Sequence, residues 1–233
     1  MTELSAYYES VAPFYQAEMA LRDDIPRWVR LTELASGRTV IDLGCGNGRV
    51  ARALAARFEV TGVDLLTTLG PHDDGFTFVQ ADLRALPFAD GRFDLAIAAN
   101  DPFAHLLEDA DRTQALNEAT RVASRVVIDG LALTPADDAH ARTSALVREA
   151  KLPGGTLRHE TWRALGGDRY RTTYRYLRGR TMVGEATTTV RAWRRDEVAL
   201  RRPDVHLAGS LDGRLYDPEA SGFVISVGGP VWS

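Results

Sequence analysis

The sequence predicts an α/β protein built on a doubly wound, mostly parallel sheet, with an antiparallel β insertion late in the chain. Three observations carry this. A glycine-rich turn, Gly44-Cys45-Gly46-Asn47-Gly48, joins the apolar run Val40–Leu43 to a stretch of helical spacing that opens at Val50. Further apolar runs end on Asp64 and on Asp82, and they alternate with helical stretches. After Pro135 the texture changes to β-rich stretches separated by glycine turns.

At 233 residues the chain is long enough for a full core, and one domain with an insertion is the favoured reading. A net charge of −4 gives no global pull toward nucleic acid or membrane. Every one of the 28 cations except Lys151 is arginine, so arginine is the default cation here and its number says little about RNA. The one cysteine excludes a disulfide framework, and inside the glycine turn it reads as a small packing residue in a reducing compartment. No apolar stretch approaches the length of a membrane span, and Met1-Thr2-Glu3-Leu4-Ser5 lacks the basic start and apolar run of a signal peptide. A soluble, cytoplasmic protein, monomer or homodimer, without a membrane partner is expected.

Taken in order, the opening Tyr7-Tyr8-Glu9-Ser10-Val11-Ala12-Pro13-Phe14-Tyr15 mixes aromatics with a proline ahead of the first strand. From Ile25 to Leu34 apolar residues recur on one helical face, and Ser36-Gly37 ends it. The glycine turn follows the Val40 strand. Glycine is required in such a turn because a side chain would block a ligand from the backbone N–H groups and from positive φ. A dinucleotide site wants glycine at the first, third and sixth positions; here Arg49 stands at the sixth and Gly48 at the fifth, a poor match. The helix after the turn is expected to run to about Arg57.

The second strand, Glu59–Asp64, ends in a carboxylate beside the turn, where it can accept both hydroxyls of a ribose. Only a stunted helix fits before the third strand, Phe76–Leu83, because Gly70–Gly75 is turn material. The fourth strand, Phe93–Asn100, runs into Asp101-Pro102-Phe103-Ala104-His105-Leu106. Segments leaving the carboxyl ends of parallel strands are where such folds build reaction sites. A helix over Ala115–Val122 and a strand at Val126–Gly130 come next. Asp137 to Leu152 is polar and helix-compatible. Three stretches starting at Thr156, Tyr170 and Glu185 then read as an antiparallel meander. A short helix over Asp196–Arg202 and strands at Val205–Ala208 and Phe223–Val227 close the chain.

The segment Asp42-Leu43-Gly44-Cys45-Gly46-Asn47-Gly48 resembles the first motif of class I S-adenosylmethionine-dependent methyltransferases, acidic-x-Gly-x-Gly-x-Gly, and the likeness continues over roughly residues 8–130. The resemblance implies a seven-stranded sheet closed by an antiparallel hairpin, and S-adenosyl-L-methionine as cofactor. It implies that Gly44, Cys45, Gly46 and Gly48 pack along the methionine and ribose, with Asp42 facing the amino end. Asp64 would take the ribose, Asp82 the adenine amino group and Leu83 the ring, with Leu66 beneath the adenine. Tyr15, Leu65 and Asn100 complete the expected cofactor contacts. It also implies one methyltransferase domain over residues 1–233. Residues 1–36 would be a helical cap, 37–134 and 196–233 the cofactor-binding core, and 135–195 a helix plus antiparallel insertion walling the substrate pocket.

Asn100-Asp101-Pro102-Phe103-Ala104-His105-Leu106 is similar to the Asn-Ser-Phe-x-His-Leu passage of amine and sugar-amine methyltransferases, with Asp101-Pro102 departing from it. The expected acceptor is a small molecule methylated on nitrogen or oxygen. His105 is the best-placed base, with an ordinary pKa near neutrality, and Asp101 the second candidate, whose other reading is a helix cap. Tyr8, His105, Trp162 and Tyr174 are expected to meet the substrate. The histidines are scattered and no metal ligation is expected. Two alternatives stay open. Residues 156–202 hold twelve arginines against five acids, and with Trp162, Tyr170, Tyr174, Tyr176 and Trp193 they could form a platform for RNA or protein methylation. The solvated sheet face is the stronger reading, so a nucleic-acid partner is not expected. A non-catalytic cofactor-binding module is the other alternative.

Overall fold

The computed structural model describes residues 3–35, 37–70, 75–194, 204–217 and 223–232. The chain opens with helices α1 (Glu3–Met19) and α2 (Ile25–Leu34) and then alternates β1 (Thr39–Leu43), α3 (Arg49–Ala55), β2 (Glu59–Asp64), β3 (Thr77–Gln80), β4 (Phe93–Ala98), α4 (Asp109–Val122) and β5 (Ala123–Gly130). Helix α5 (Pro135–Thr143) leads into β6 (Leu146–Lys151), β7 (Leu157–Gly166), β8 (Arg169–Arg178) and β9 (Thr181–Arg191). The last strands are β10 (Val205–Ala208) and β11 (Phe223–Val227).

Seven strands form the main sheet in the order β10-β11-β5-β4-β1-β2-β3. β11 is its antiparallel member, set between β5 and β10. The expected closing hairpin is therefore present. The sheet is apolar on both faces because alternate residues of each strand point to opposite sides. Ile41, Leu43, Ala96, Ala98, Val126 and Ile128 meet Ala115, Ala119 and Val122 of α4 on one face. Val40, Leu95, Ile97 and Val127 meet Trp28 and Leu31 of α2 and Val50, Ala51 and Leu54 of α3 on the other.

The second sheet is antiparallel, ordered β6-β7-β8-β9. Residues 144–152, read from the sequence as the end of a helix, hold strand β6, so the meander has four strands. Arg, Glu, Ala and Lys favour a helix locally, but pairing Leu146 with Trp162 and Arg148 with Glu160 overrides that preference. Helix α5 is short and well started: Pro135 occupies its first turn, and the Thr134 hydroxyl accepts the Asp137 N–H at 3.0 Å. Helix α4 begins at Asp109, earlier than expected, and among the described residues no helix lies between β2 and β3. The expected helix over Asp196–Arg202 falls outside the described residues.

Helix α1 lies across β9. The Phe14 ring stacks on Tyr176 at 3.8 Å with 9° between planes, over Gly184, where a Cβ would come within 2.5 Å of the Phe14 ring. The second sheet and α1 thus enclose a space against the carboxyl ends of β4 and β5. No helix of the described residues is long and apolar enough to cross a membrane.

Candidate active site

The glycine turn is shaped for close approach. Gly44, Gly46 and Gly48 all have positive φ, at 69°, 56° and 75°. A Cβ on Gly44 would lie 2.8 Å from Pro102 Cγ and closer still to Pro102 Cβ; one on Gly46 would lie 2.9 Å from the Tyr15 hydroxyl oxygen. The Gly44 and Cys45 N–H groups bond the Val63 carbonyl at 2.7 and 2.9 Å, which fastens the turn to the end of β2. There Asp64 accepts the Gly46 N–H on Oδ2 at 2.9 Å and the Leu66 N–H on Oδ1 at 3.0 Å.

Along the carboxyl ends of β1, β2 and β4 runs a cleft. Of the residues expected to hold cofactor, Tyr15, Gly44, Gly46, Asp64, Leu65, Asp82, Leu83 and Asn100 line it, together with Leu66. Three do not. Asp42 shares the face of β1 that Val40 presents to α3, so its carboxylate lies behind the turn and accepts the Ala51 N–H at 3.1 Å; burial pushes it up to about 7. Cys45 is buried, with Sγ 3.0 Å from where a Gly62 Cβ would stand. Gly48 starts α3, and a Cβ there would meet the Phe76 ring at 2.6 Å. These residues shape the turn from behind rather than facing the cleft. Asp82 faces the cleft with its oxygens already engaged by Arg84, through Nη2 at 2.6 Å and Nε at 3.0 Å; that pairing holds its carboxyl below the usual range.

The exit of β4 carries the reactive candidates. Asn100 and Asp101 are consecutive non-glycine residues at positive φ, 60° and 45°, and they turn the chain into a 3₁₀ turn over Pro102–His105. His105 Nε2 and the Tyr8 hydroxyl are 3.1 Å apart, and His105 Nδ1 is buried with no hydrogen-bond partner. Burial pushes the imidazole down to about 4, so it is neutral at pH 7. Asp101 does not cap the 3₁₀ turn with its side chain; Oδ2 instead accepts the Leu131 N–H at 2.6 Å, tying the β4 exit to the β5 exit. Burial raises its carboxyl to about 6.

Behind this wall lies a second cavity of about 440 Å³, within the size range of small-molecule pockets. Tyr8, Tyr15, Asn100 and His105 line both spaces. Tyr8, His105, Trp162 and Tyr174, the residues expected to meet a substrate, all line the second one, and so does Asp101. Cross-strand register explains why the meander contributes: Arg148, Glu160, Tyr174 and Ala186 form one row across β6–β9 on the face turned toward the main domain. Trp162, Tyr170, Tyr176 and Trp193 are buried, so the aromatics form no exposed platform beside the arginines.

Sequence reading missed an ion network around the cavity mouth. Arg22, after α1, bonds Asn100 Oδ1 at 2.6 Å, Asp129 at 2.7 Å and Asp24 at 3.1 Å, and Asp24 also receives Arg49 at 2.5 Å. Its members come from four separated segments, and no local pattern announces them. Among the described residues no group of three or more His, Cys, Asp or Glu is placed to hold a metal ion.

Residues 40–125 match the family model described as a methyltransferase domain. The chain is 36% identical over 91 residues to the 2-methyl-6-phytyl-1,4-hydroquinone methyltransferase of Synechocystis sp., covering 35% of this chain and 29% of that protein. It therefore spans less than a third of that relative's length. Among solved structures it is similar to the CcbJ methyltransferase from Streptomyces caelestis, with a TM-score of 0.73, 19% identity, and coverage of 87% of this chain and 94% of that one. An S-adenosylmethionine-dependent methyltransferase from Clostridium acetobutylicum gives a TM-score of 0.73 at 12% identity, over 94% of this chain and 98% of the other.

Proposed function

We propose that this chain, a class I S-adenosylmethionine-dependent methyltransferase, moves a methyl group to a nitrogen or oxygen of a small molecule held in the cavity behind His105. The observation that carries this is the shared wall: a cleft at the glycine turn and a part-open cavity with a charged and aromatic lining meet at Tyr8, Tyr15, Asn100 and His105. The name of the Synechocystis relative, with its hydroquinone, also supports a small acceptor.

Gly44 and Gly46 line the cleft, and the lack of a side chain at each lets Pro102 and Tyr15 close up against the turn beside it. Gly44, Gly46, Asp64, Asp82, Leu83 and Asn100 would hold the cofactor, which supplies an electrophilic sulfonium methyl when bound. The protein's main contribution is to hold the acceptor in line and close off water, with α1 as the cover. His105 is too weak a base, at about 4, to take a proton from an ammonium ion; neutral at working pH, it holds Tyr8 through Nε2 and stands between the cleft and the cavity. His105 is therefore expected to orient a neutral nucleophile.

Transfer of labelled methyl from S-adenosylmethionine to a panel of small amines and phenols tests this. His105→Gln is expected to lower turnover about tenfold or more while leaving cofactor affinity within about twofold. Unchanged turnover on a genuine acceptor would remove His105 from the site. The same substitution changes the acid response. Because the native pKa lies below the unfolded value of about 6.5, the stability linked to neutral His105 is full above that value. It is lost as pH falls toward about 4. The drop in Tm between pH 7 and pH 5 is expected to be smaller in His105→Gln than in the parent, and an equal drop would contradict the burial of a neutral ring.

A further inference from the structure

We propose that the cavity selects acceptors carrying a protonated amine remote from the atom to be methylated, with Glu18 and Glu160 as its counter-charge. This deepens the methyltransferase reading and rests on it for the identity of the methylated end.

Glu18 on α1 and Glu160 on β7 both line the cavity and are 8% and 6% exposed. They share one cation: Arg158 reaches Glu18 Oε1 with Nη1 at 3.3 Å and Glu160 Oε2 with Nη2 at 2.9 Å. The remaining bonds come from neutral donors, Tyr176 Oη to Glu18 Oε1 at 2.9 Å and Trp162 Nε1 to Glu160 Oε1 at 2.5 Å. One guanidinium cannot balance two buried carboxylates. Burial accordingly raises the Glu18 carboxyl above its ordinary range.

The rest of the lining does not supply the missing charge. It holds the carboxylates of Glu18, Asp101, Asp129 and Glu160 against the guanidiniums of Arg22, Arg148 and Arg158. Two of those cations are also drawn to carboxylates outside the lining, Arg22 to Asp24 and Arg148 to Asp137. Asp101 Oδ1 is buried with the Trp193 indole and the Arg112 guanidinium for neighbours, so it adds no charge to this end of the cavity. The excess negative charge is that of Glu18 and Glu160 over Arg158, and it favours a donor-bearing cation.

Aromatic placement sets the geometry. The Tyr7 ring lies 6.0 Å from His105 and 5.9 Å from Tyr174, and Tyr174 pairs with Glu160 across β7 and β8. The His105 end and the acidic end are thus one ring apart, a span that a small molecule with two functional ends can bridge. Guanidiniums already lie over two rings at the acidic end, Arg158 over Tyr174 and Arg148 over Trp162 at 5.8 Å each, so this end of the cavity is built to accept cations.

The test uses matched pairs differing by one charge: tyramine with 4-propylphenol, and tryptamine with 3-propylindole. Each is titrated calorimetrically into the full chain in the presence of saturating S-adenosylhomocysteine. At least one amine is expected to bind about tenfold tighter than its isostere, the effect of one charge-assisted hydrogen bond. That ratio is expected to fall at least about fivefold in Glu18→Gln or Glu160→Gln. No preference in either pair, the absence of any binding included, overturns the proposal, as does a preference that both variants retain. If neither variant folds, the ratio in the parent protein decides by itself. Failure of S-adenosylhomocysteine to bind would strike the methyltransferase reading alone, and the amine preference would then be measured without it.

Discussion

Gly44→Ala is expected to destabilise the fold by about 2–5 kcal/mol and to abolish measurable cofactor binding. Two effects add. The residue sits at φ 69°, where a Cβ meets the following carbonyl oxygen. The new methyl would also press on Pro102, a rigid ring opening the 3₁₀ turn that carries His105. Relief of that clash requires the exits of β1 and β4 to part, and this is the boundary between cleft and cavity. Gly154→Ala is the control, since it shares the positive φ, at 82°, with nothing within 4 Å of the added carbon. It is expected to lose about 1–2 kcal/mol, the conformational part alone. Chemical denaturation of both variants measures the difference, and equal losses would show that the approach of Pro102 to the turn is unimportant.

Asp64→Ala is expected to weaken S-adenosylmethionine binding about 10- to 100-fold, the scale of one or two hydrogen bonds to a charged group. The carboxylate has a double task. It fixes the turn through Gly46 and the following loop through Leu66, and it lines the cleft. Asp64→Asn should fall between alanine and the parent, because the amide keeps one acceptor oxygen and loses the charge. Titration of the three proteins checks the order; an alanine variant that binds as tightly as the parent would show that Asp64 does not hold the ribose.

Much of this site was legible in the sequence for a physical reason: the information was local. A glycine turn between a strand and a helix, and acids at strand ends, are set by residues a few positions apart, and Gly44, Gly46, Asp64 and Asp82 face the cleft as expected. That Asp42 lies behind the turn was not legible in the motif, because its spacing says nothing about which face of a strand a residue takes. Its parity with Val40 was the available signal. Strand β6 was read as helix because Arg, Glu, Ala and Lys carry helical propensity, while pairing with β7 decides the outcome. Arg84, two residues after Asp82, could have been suspected as its clamp. The Arg22–Asn100–Asp129 network and the Glu18–Arg158–Glu160 cluster join segments about a hundred residues apart, and such juxtaposition exists only once the chain has folded.

The central claim, that the glycine cleft holds S-adenosylmethionine beside an acceptor cavity, is tested most directly by calorimetric titration with S-adenosylmethionine, S-adenosylhomocysteine and NAD. Saturable one-to-one binding of the first two and none of NAD is the predicted result. Binding of NAD, or of none of the three, would contradict it.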